Sequence, residues 1–317
     1  MTAQAITGIL DFPFWKRNQT RDSFVPERTR TAPEKLNAGQ IEVDGARRQF
    51  LIYRPRTSKK LPVVLSLHGS FSSPKDMMRH THLNPLADRE GFIAVYPQLG
   101  HQLTLDVNDG QAIIDSHFIE ALIDHLVKKE GADPGRVFAT GFSSGADLLH
   151  FFATLGNLAE MFNAFAPVCS NMDTGWSQSV NHKHPVSMLM LSGTRDRLNK
   201  WKGQAPRWMS VPDTYKFWCE HNDAKSTRSL QNAFTETLDA FKHRAPSADG
   251  PTRLIVSQSL SEKNGSHIVL GKVLGGGHTW PGAQERNHLL RVICGATHSM
   301  HSANEIIWSF FQSRPSK

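Results

Sequence analysis

Short apolar segments alternate with segments of helical periodicity along the first two-thirds of the chain. Strands are predicted where β-branched and apolar residues run together, at 49–53, 63–67, 91–97, 136–140 and 186–191. Helices are predicted from Ser73 towards Leu86, from Asp115 or Ser116 onwards, over 146–155 and from Ser210 through Trp218. This alternation predicts a mostly parallel central sheet with helices on both faces.

The last third of the chain has a different pattern. Segments 254–257 and 268–274 flank Asn264-Gly265, a turn signal that predicts a hairpin. Ser302 and Glu305 have the spacing of a capping box and predict the start of a last helix. Asp133-Pro134-Gly135 predicts a turn just before the strand at 136–140.

Length and composition fit one large domain. The chain has 317 residues, of which 39% are apolar and 21% are charged, so it is able to bury a full core. We predict an N-terminal extension over 1–36 and an α/β domain over 37–317. The long, polar stretch at 199–260 is a candidate for a cap or an insertion.

The chain is basic, with a formal net charge of +7. The basic residues are dispersed, the densest groups being Arg47-Arg48, Lys59-Lys60 and the Arg28/Arg30 pair, so we expect a solvated basic face and no nucleic-acid partner. No apolar stretch is long enough to span a membrane. The first 22 residues lack the pattern of a secretory signal, so we expect a cytoplasmic protein, or a secreted one if a signal was removed. Oligomeric state cannot be inferred from the sequence.

A serine in a tight glycine turn is the first candidate for chemistry. Gly141-Phe142-Ser143-Ser144-Gly145 fits G-x-S-x-G, with a predicted strand before it and a predicted helix after it. That context is what a nucleophile elbow of the α/β-hydrolase fold requires, because small glycines let the chain turn sharply and lift the serine above the sheet. Ser143 is the predicted nucleophile, and a plain Gly-Ser turn is the alternative.

A serine nucleophile needs a histidine base and a carboxylate that orients it, and in this fold the acid precedes the histidine along the chain. Asp196 comes just past the buried strand at 186–191 and is the predicted acid. Asp173, Asp213 and Glu236 come from less strand-like settings. The alternative for Asp196 is a surface ion pair with Arg195 or Arg197.

His278 is the predicted base. It follows an apolar strand and three glycines, in Gly275-Gly276-Gly277-His278-Thr279-Trp280-Pro281-Gly282. The other histidine clusters, at 80–82, 182–184 and 298–301, lack a carboxylate or cysteine at a convincing ligand spacing, so no metal site is predicted. Cys169, Cys219 and Cys294 are expected to be buried apolar residues.

The negative oxygen of a tetrahedral intermediate needs backbone N–H donors. The first predicted donor is Ser144, directly after the nucleophile. The second comes from the loop that follows the strand at 63–67, with Ser70 favoured and Gly69 or Phe71 left open. His68 is expected to brace that loop.

Several separated motifs resemble the esterase family that contains poly(3-hydroxybutyrate) depolymerases, which is related to feruloyl and acetylxylan esterases. They are 67–69, 86–92, 133–137, 140–145, 193–196 and 276–282, and the resemblance covers roughly residues 40–313. It implies an α/β-hydrolase fold, a serine esterase activity without a cofactor, and Ser143, Asp196 and His278 as the triad. It also implies that Trp280 and Trp201 wall the substrate cleft, with core packing as the alternative for each.

Two departures from the family pattern concern the substrate and the compartment. The chain has Asp223-Ala224 where many secreted relatives have a cysteine, and Asp106 to Gly110 where the family has a tryptophan-rich stretch. The predicted substrate is a small or polymeric ester of the hydroxyalkanoate, feruloyl or acetyl type. An acyltransferase or peptidase of the same fold is the nearest alternative, and a non-catalytic polymer-binding protein is an alternative of another class.

Overall fold

The computed structural model describes residues 36–56, 59–100, 110–227, 252–283 and 292–317. Residues 1–35 of the predicted N-terminal extension, residues 101–109 with most of the departure at 106–110, and residues 228–251 of the candidate cap lie outside these ranges. Residues 199–227 and 252–260 of that candidate contain a turn, one helix and two strands.

The described strands form one sheet. They are β1 (Leu36–Val43), β2 (Ala46–Tyr53), β3 (Leu61–Leu67), β4 (Ile93–Pro97), β5 (Ala132–Phe142), β6 (Ala164–Val168), β7 (Met188–Gly193), β8 (Lys225–Thr227), β9 (Arg253–Leu260) and β10 (His267–Leu274). Their order across the sheet is β1-β2-β4-β3-β5-β6-β7-β10-β9-β8. Neighbours from β4 to β10 run parallel, and the pairs towards both edges run antiparallel.

Helices cover both faces of the sheet, as the sequence predicts. They are α1 (Pro74–Thr81), α2 (Leu83–Glu90), α3 (Gly110–Lys129), α4 (Ser144–Thr154), α5 (Gly156–Met161), α6 (Thr174–Ser179), α7 (Val211–His221) and α8 (Ala303–Gln312). Apolar residues of α3, α4 and α7 pack on one face, and those of α1, α2 and α8 pack on the other. Because successive side chains of a strand point to opposite faces, Leu65 of β3 joins the first core and Val64 joins the second.

Most predicted elements are confirmed with shifted ends. Ser73 and Ser210 cap α1 and α7 by accepting hydrogen bonds from the N–H groups of Asp76 and Asp213. The predicted hairpin is the antiparallel pair β9 and β10. The predicted turn at 133–135 falls inside β5, at the point where its register against β3 shifts.

Two predicted helix boundaries are wrong, and one predicted capping box does not form. The helix from Ser73 is two helices, because His82 takes a left-handed conformation with φ 49° between them. Asp115 does not cap a helix: α3 begins at Gly110, and Asp115 is fully buried and pairs with Arg48. The last helix, α8, begins directly after Ser302 as predicted, but the Ser302 side chain makes no capping hydrogen bond, and Glu305 accepts hydrogen bonds from Arg89 at 2.8 and 2.7 Å.

Among the described residues, no helix has the length and apolar character needed to cross a membrane.

Candidate active site

The turn between β5 and α4 holds Ser143. Its φ of 56° and ψ of −127° form a strained conformation for a residue with a Cβ. The Ser143 N–H donates to the Val168 carbonyl oxygen at 3.1 Å, and the Ser143 carbonyl oxygen accepts from the N–H groups of Ala146 and Asp147 at 2.8 and 2.9 Å. These bonds hold the turn on both sides, so Ser143 lies half-buried between a strand that ends at Phe142 and a helix that begins immediately after it.

Glycines let the chain make this turn. A Cβ on Gly141 would lie 2.6 Å from the carbonyl oxygen of Gly145, and a Cβ on Gly145 would lie 2.6 Å from that of Leu67. Neither approach is compatible with a larger residue unless backbone moves. Gly69 lies on the other side of the turn, where a Cβ would be 3.2 Å from Cβ of Ser143. The loop after β3 therefore touches the serine turn directly.

A buried hydrogen bond joins the predicted acid and base. Asp196 follows the end of β7 and His278 follows the end of β10, and these strands are parallel neighbours. Because parallel strands end at the same edge of a sheet, the two loops meet there. His278 Nδ1 lies 2.8 Å from Asp196 Oδ2, and the side chains are 4% and 1% exposed. Asp196 is thus not in a surface ion pair.

Both partners of this hydrogen bond are held by backbone groups. Oδ1 of Asp196 accepts from the N–H groups of Leu198 and Asn199, each at 2.9 Å. The His278 N–H donates to the Cys294 carbonyl oxygen at 2.6 Å. The carboxylate can only accept, so Nδ1 carries the proton and Nε2 is left as the basic nitrogen.

An aromatic contact brings the serine turn next to the imidazole. The Phe142 ring lies with its centroid 4.9 Å from that of His278. Phe142 directly precedes Ser143, so the predicted nucleophile, acid and base all come from loops at one edge of the sheet.

The two predicted oxyanion donors lie in adjacent loops. Ser144 is the first residue of α4, where backbone N–H groups have no partner inside the helix. Ser70 lies in the loop after β3, and its hydroxyl donates to the Ser144 hydroxyl at 2.9 Å. This contact places the two loops side by side, at a helix N-terminus that favours negative charge. The role of both backbones as oxyanion donors stays a prediction.

His68 holds the loop that carries Ser70. Its Nε2 accepts from the Leu99 N–H at 3.1 Å, so Nδ1 carries the proton and donates to the Gly69 carbonyl oxygen at 2.9 Å. Burial lowers the pKa of His68, which keeps the ring neutral. These bonds agree with the expected bracing role.

Comparison with known proteins gives three relatives with named activities. The chain is 32% identical to the bifunctional acetylxylan esterase/xylanase XynS20E of Neocallimastix patriciarum over 48% of this chain and 22% of that protein. It is 26% identical to a protein described as an esterase, NocK of Nocardia uniformis, over 82% of this chain and 79% of that protein. It is 29% identical to feruloyl esterase B of Thermothelomyces thermophilus over 44% of this chain and 49% of that protein. No protein-family model matches the chain.

The solved structures include an acetyl xylan esterase from Aspergillus awamori. It superposes with a TM-score of 0.52 and 16% sequence identity, over 77% of this chain and 94% of that one. The chain is a homologue of esterases and has the α/β-hydrolase fold. Both the predicted fold and the predicted relationship to feruloyl and acetylxylan esterases are confirmed, and the depolymerase label is compatible with them.

The two tryptophans expected to wall the cleft of this α/β-hydrolase fold lie in different surroundings. Trp280 is 1% exposed, and its indole N–H donates to Asn304 Oδ1 at 3.1 Å. That burial leaves almost no Trp280 surface for a substrate. Trp201 is half-buried, with Lys272 Nζ 5.1 Å from its ring centroid. The substrate-binding role of both remains a prediction.

One exposed aromatic residue lies beside the predicted oxyanion donors. Phe71 directly follows Ser70, has a φ of 56° and is 90% exposed. A bulky residue in this left-handed conformation is uncommon, and an apolar ring in solvent at a site is a candidate for substrate contact. The sequence offered Phe71 only as an alternative oxyanion donor.

Three residues near the acid have no motif in the sequence: Cys169 and Asp147 are buried, and Asn199 is half-buried. Sγ of Cys169 lies within 4.8 Å of the nearest ligand atoms of Asp196 and His278, the separation expected of a metal site. Burial raises the pKa of the Cys169 thiol well above its ordinary value. The thiol is therefore protonated and packs beside the hydrogen-bonded pair.

Proposed function

We propose that the protein is a serine carboxylic-ester hydrolase that acts through an acyl-serine intermediate. The observation that carries the proposal is the buried 2.8 Å hydrogen bond between His278 and Asp196, at the edge of the sheet where the strained turn presents Ser143. A serine hydroxyl is a poor nucleophile at neutral pH and needs such a base.

The first half of the reaction forms the acyl-enzyme. His278 Nε2 takes the Ser143 hydroxyl proton while Oγ attacks the ester carbonyl carbon. Asp196 stabilises the resulting imidazolium, and the backbone N–H groups of Ser144 and Ser70 donate to the negative oxygen. The tetrahedral intermediate then expels the alcohol, which receives its proton from His278.

The second half repeats these steps with water in place of the serine. His278 removes a proton from water, the hydroxide attacks the acyl carbon, and Ser143 leaves with the proton held by His278. Protein groups and water supply every proton and every electron pair, so the proposed reaction needs no metal or organic cofactor.

The proposed substrate class is an acetyl or feruloyl ester, in a small molecule or in a polymer. Named relatives with acetylxylan and feruloyl esterase activity support this class. Hydroxyalkanoate esters remain a second candidate through the depolymerase resemblance. Initial rates on acetyl, feruloyl and 3-hydroxybutyrate esters, measured at equal concentration, would rank the three.

Fluorophosphonate labelling tests the proposed class of enzyme. The wild type should react and Ser143→Ala should not, because the reagent phosphonylates an activated serine. Labelling that persists in Ser143→Ala would remove Ser143 from the mechanism. A wild type inert both to the reagent and to short nitrophenyl esters would favour the non-catalytic polymer-binding protein instead.

An acyltransferase or a peptidase would use the same three residues. Product analysis with an added alcohol acceptor distinguishes these alternatives. A hydrolase should release the free acid as its main product, whereas a transferase should give the exchanged ester, and a peptidase should cleave amides of the same acyl group at a comparable rate.

A further inference from the structure

A buried carboxyl lies one helical turn beyond Ser143. Asp147 is in the first turn of α4 and is 6% exposed, and its N–H donates to the Ser143 carbonyl oxygen at 2.9 Å. Its side chain plays no part in the proposed reaction. A buried carboxyl is unfavourable unless hydrogen bonds compensate for the water it loses.

The side chain of Asp147 is bonded to two loops at the edge of the sheet. Oδ1 accepts from the Asn171 N–H at 3.1 Å and from Nδ2 of Asn199 at 3.3 Å. Both donors are neutral amides. Burial raises the pKa of Asp147 well above its ordinary value, so the fold disfavours the ionised form of this carboxyl.

Asn199 connects that carboxyl to the predicted acid. Its backbone N–H donates to Asp196 Oδ1 at 2.9 Å, while its side-chain Nδ2 donates to Asp147 and also to the Cys169 carbonyl oxygen at 2.8 Å. Because Nδ2 has two hydrogens, it can serve both acceptors at once. A continuous hydrogen-bonded path therefore runs from Asp147 through Asn199 and Asp196 to His278.

We propose that Asp147 is a positioning residue that ties the acid loop to the nucleophile helix and so fixes Asp196 relative to Ser143. The proposal rests on the esterase function above. Asp147 lies in the first turn of α4, which begins directly after Ser143, and Asn199 and Asp196 share the loop after β7, so the contact between Asp147 and Asn199 joins two catalytic elements. Displacement of a catalytic group by about 1 Å can reduce the rate about a hundredfold.

The test uses a matched pair of buried aspartates. Asp147→Leu removes the acceptor and keeps the number and branching of the side-chain heavy atoms. Asp173→Leu is the control, since Asp173 is 5% exposed and bonds Arg207 and the Gly175 N–H rather than the acid loop. Fluorophosphonate titration counts the active sites in each preparation, so that kcat refers to folded enzyme.

For Asp147→Leu we expect kcat on a short nitrophenyl ester to fall about thirtyfold, with KM changed less than threefold, because orientation is lost and binding is not. Asp147→Asn keeps an oxygen acceptor, so its kcat should recover most of the way to the wild-type value. The kcat of Asn199→Ala should equal that of Asp147→Leu. The kcat of the double variant, Asp147→Leu with Asn199→Ala, should be no lower than that of either single variant, because both substitutions interrupt the same hydrogen-bonded path. A kcat for Asp147→Leu equal to that of Asp173→Leu would overturn the proposal, and so would multiplicative losses in the double variant.

A second readout does not depend on ester hydrolysis. The Nδ1 proton of His278, hydrogen-bonded to a carboxylate, should give a low-field proton resonance that disappears in His278→Ala. Asp147→Leu should shift or broaden this resonance, and Asp173→Leu should not. An unchanged resonance in Asp147→Leu refutes the positioning role. If the wild type hydrolyses no ester but Asp147→Leu still shifts the resonance, the positioning role is upheld and the proposed function is what fails.

Discussion

The carboxylate of Asp196 accepts three hydrogen bonds, two from backbone N–H groups and one from the His278 ring. Replacing it by an amide keeps the size of the side chain and loses the charge. An asparagine can also present its NH₂ group to the ring, which favours the tautomer in which Nδ1 lacks its proton.

Asp196→Asn is therefore expected to lower kcat by about 10⁴ with little change in KM. Asp213→Asn is the matched control, because Asp213 was an alternative acid in the sequence and lies instead at the start of α7 beside Ser210. Steady-state kinetics on a nitrophenyl ester measure both. Equal activity of Asp196→Asn and the wild type would contradict the assignment of the acid.

Gly145 lies where the nucleophile helix meets the loop after β3. A Cβ there would overlap the carbonyl oxygens of His68 and Leu67, so we expect Gly145→Ala to lower the melting temperature and to abolish fluorophosphonate labelling. Gly110→Ala is the control, since a Cβ at Gly110 meets nothing within 4 Å. A Gly145→Ala variant that labels at the wild-type rate would show that the close approach is not required.

Phe71 gives a prediction about substrate preference. If its exposed ring contacts the acyl group, Phe71→Ala should lower kcat/KM for a nitrophenyl butyrate by about fivefold, as expected for a few buried methylene contacts, and less for the acetate. Its exposed position means that folding should be unaffected. An equal change for both esters would remove Phe71 from acyl recognition.

At the scale of elements, a buried histidine links α4 to its neighbours. His150 Nδ1 accepts from the Trp218 indole N–H at 3.1 Å, which leaves Nε2–H to donate to the Ser170 hydroxyl at 3.2 Å. Burial lowers the pKa of His150 to about 3. The unfolded chain takes up this proton below about pH 6.5, whereas the folded chain does not until near pH 3, so stability is full above pH 6.5 and declines as the pH falls.

We therefore expect His150 to account for about 2 kcal/mol of the loss in free energy of unfolding between pH 7 and pH 5. His150→Gln retains an acceptor and a donor but does not titrate, so its stability should depend less on pH by about that amount. Urea unfolding of both proteins at the two pH values measures the difference. Identical pH dependence would contradict the buried, neutral state of His150.

The parts of the fold set by local pattern were predictable, and those set by distant contacts were not. Ser73 and Ser210 cap their helices because the cap needs only residues three positions apart. Asp115 looks like a cap in the sequence, yet its partner is Arg48, on a strand 67 residues earlier. The break at His82 depends on a backbone conformation that residue type alone does not specify.

The same distinction applies to the site. The surroundings of Ser143 and His278 were predictable because glycines next to each mark an unusual backbone, and those of Asp196 because it follows a strand; the catalytic roles stay predictions. The contact between Asp147 and Asn199 joins residues 52 positions apart without a motif at either end. Nothing in the sequence indicated it.

For the molecule as a whole, the parallel centre of the sheet explains why the candidate site lies at the edge where these strands end. The loops that carry Ser143, Asp196 and His278 all follow parallel strands, β5, β7 and β10, and such strands present their ends at one edge. The division of the chain into an extension and a catalytic domain, and the cytoplasmic location, remain predictions.

The proposed reaction passes through an acyl-enzyme, and mass spectrometry of protein quenched with acid during turnover of a nitrophenyl ester would detect it. We expect a mass increase of one acyl group, located on the peptide that contains Ser143 and absent from Ser143→Ala. Continued ester hydrolysis by Ser143→Ala at the wild-type rate, or an acyl group on a different residue, would contradict it.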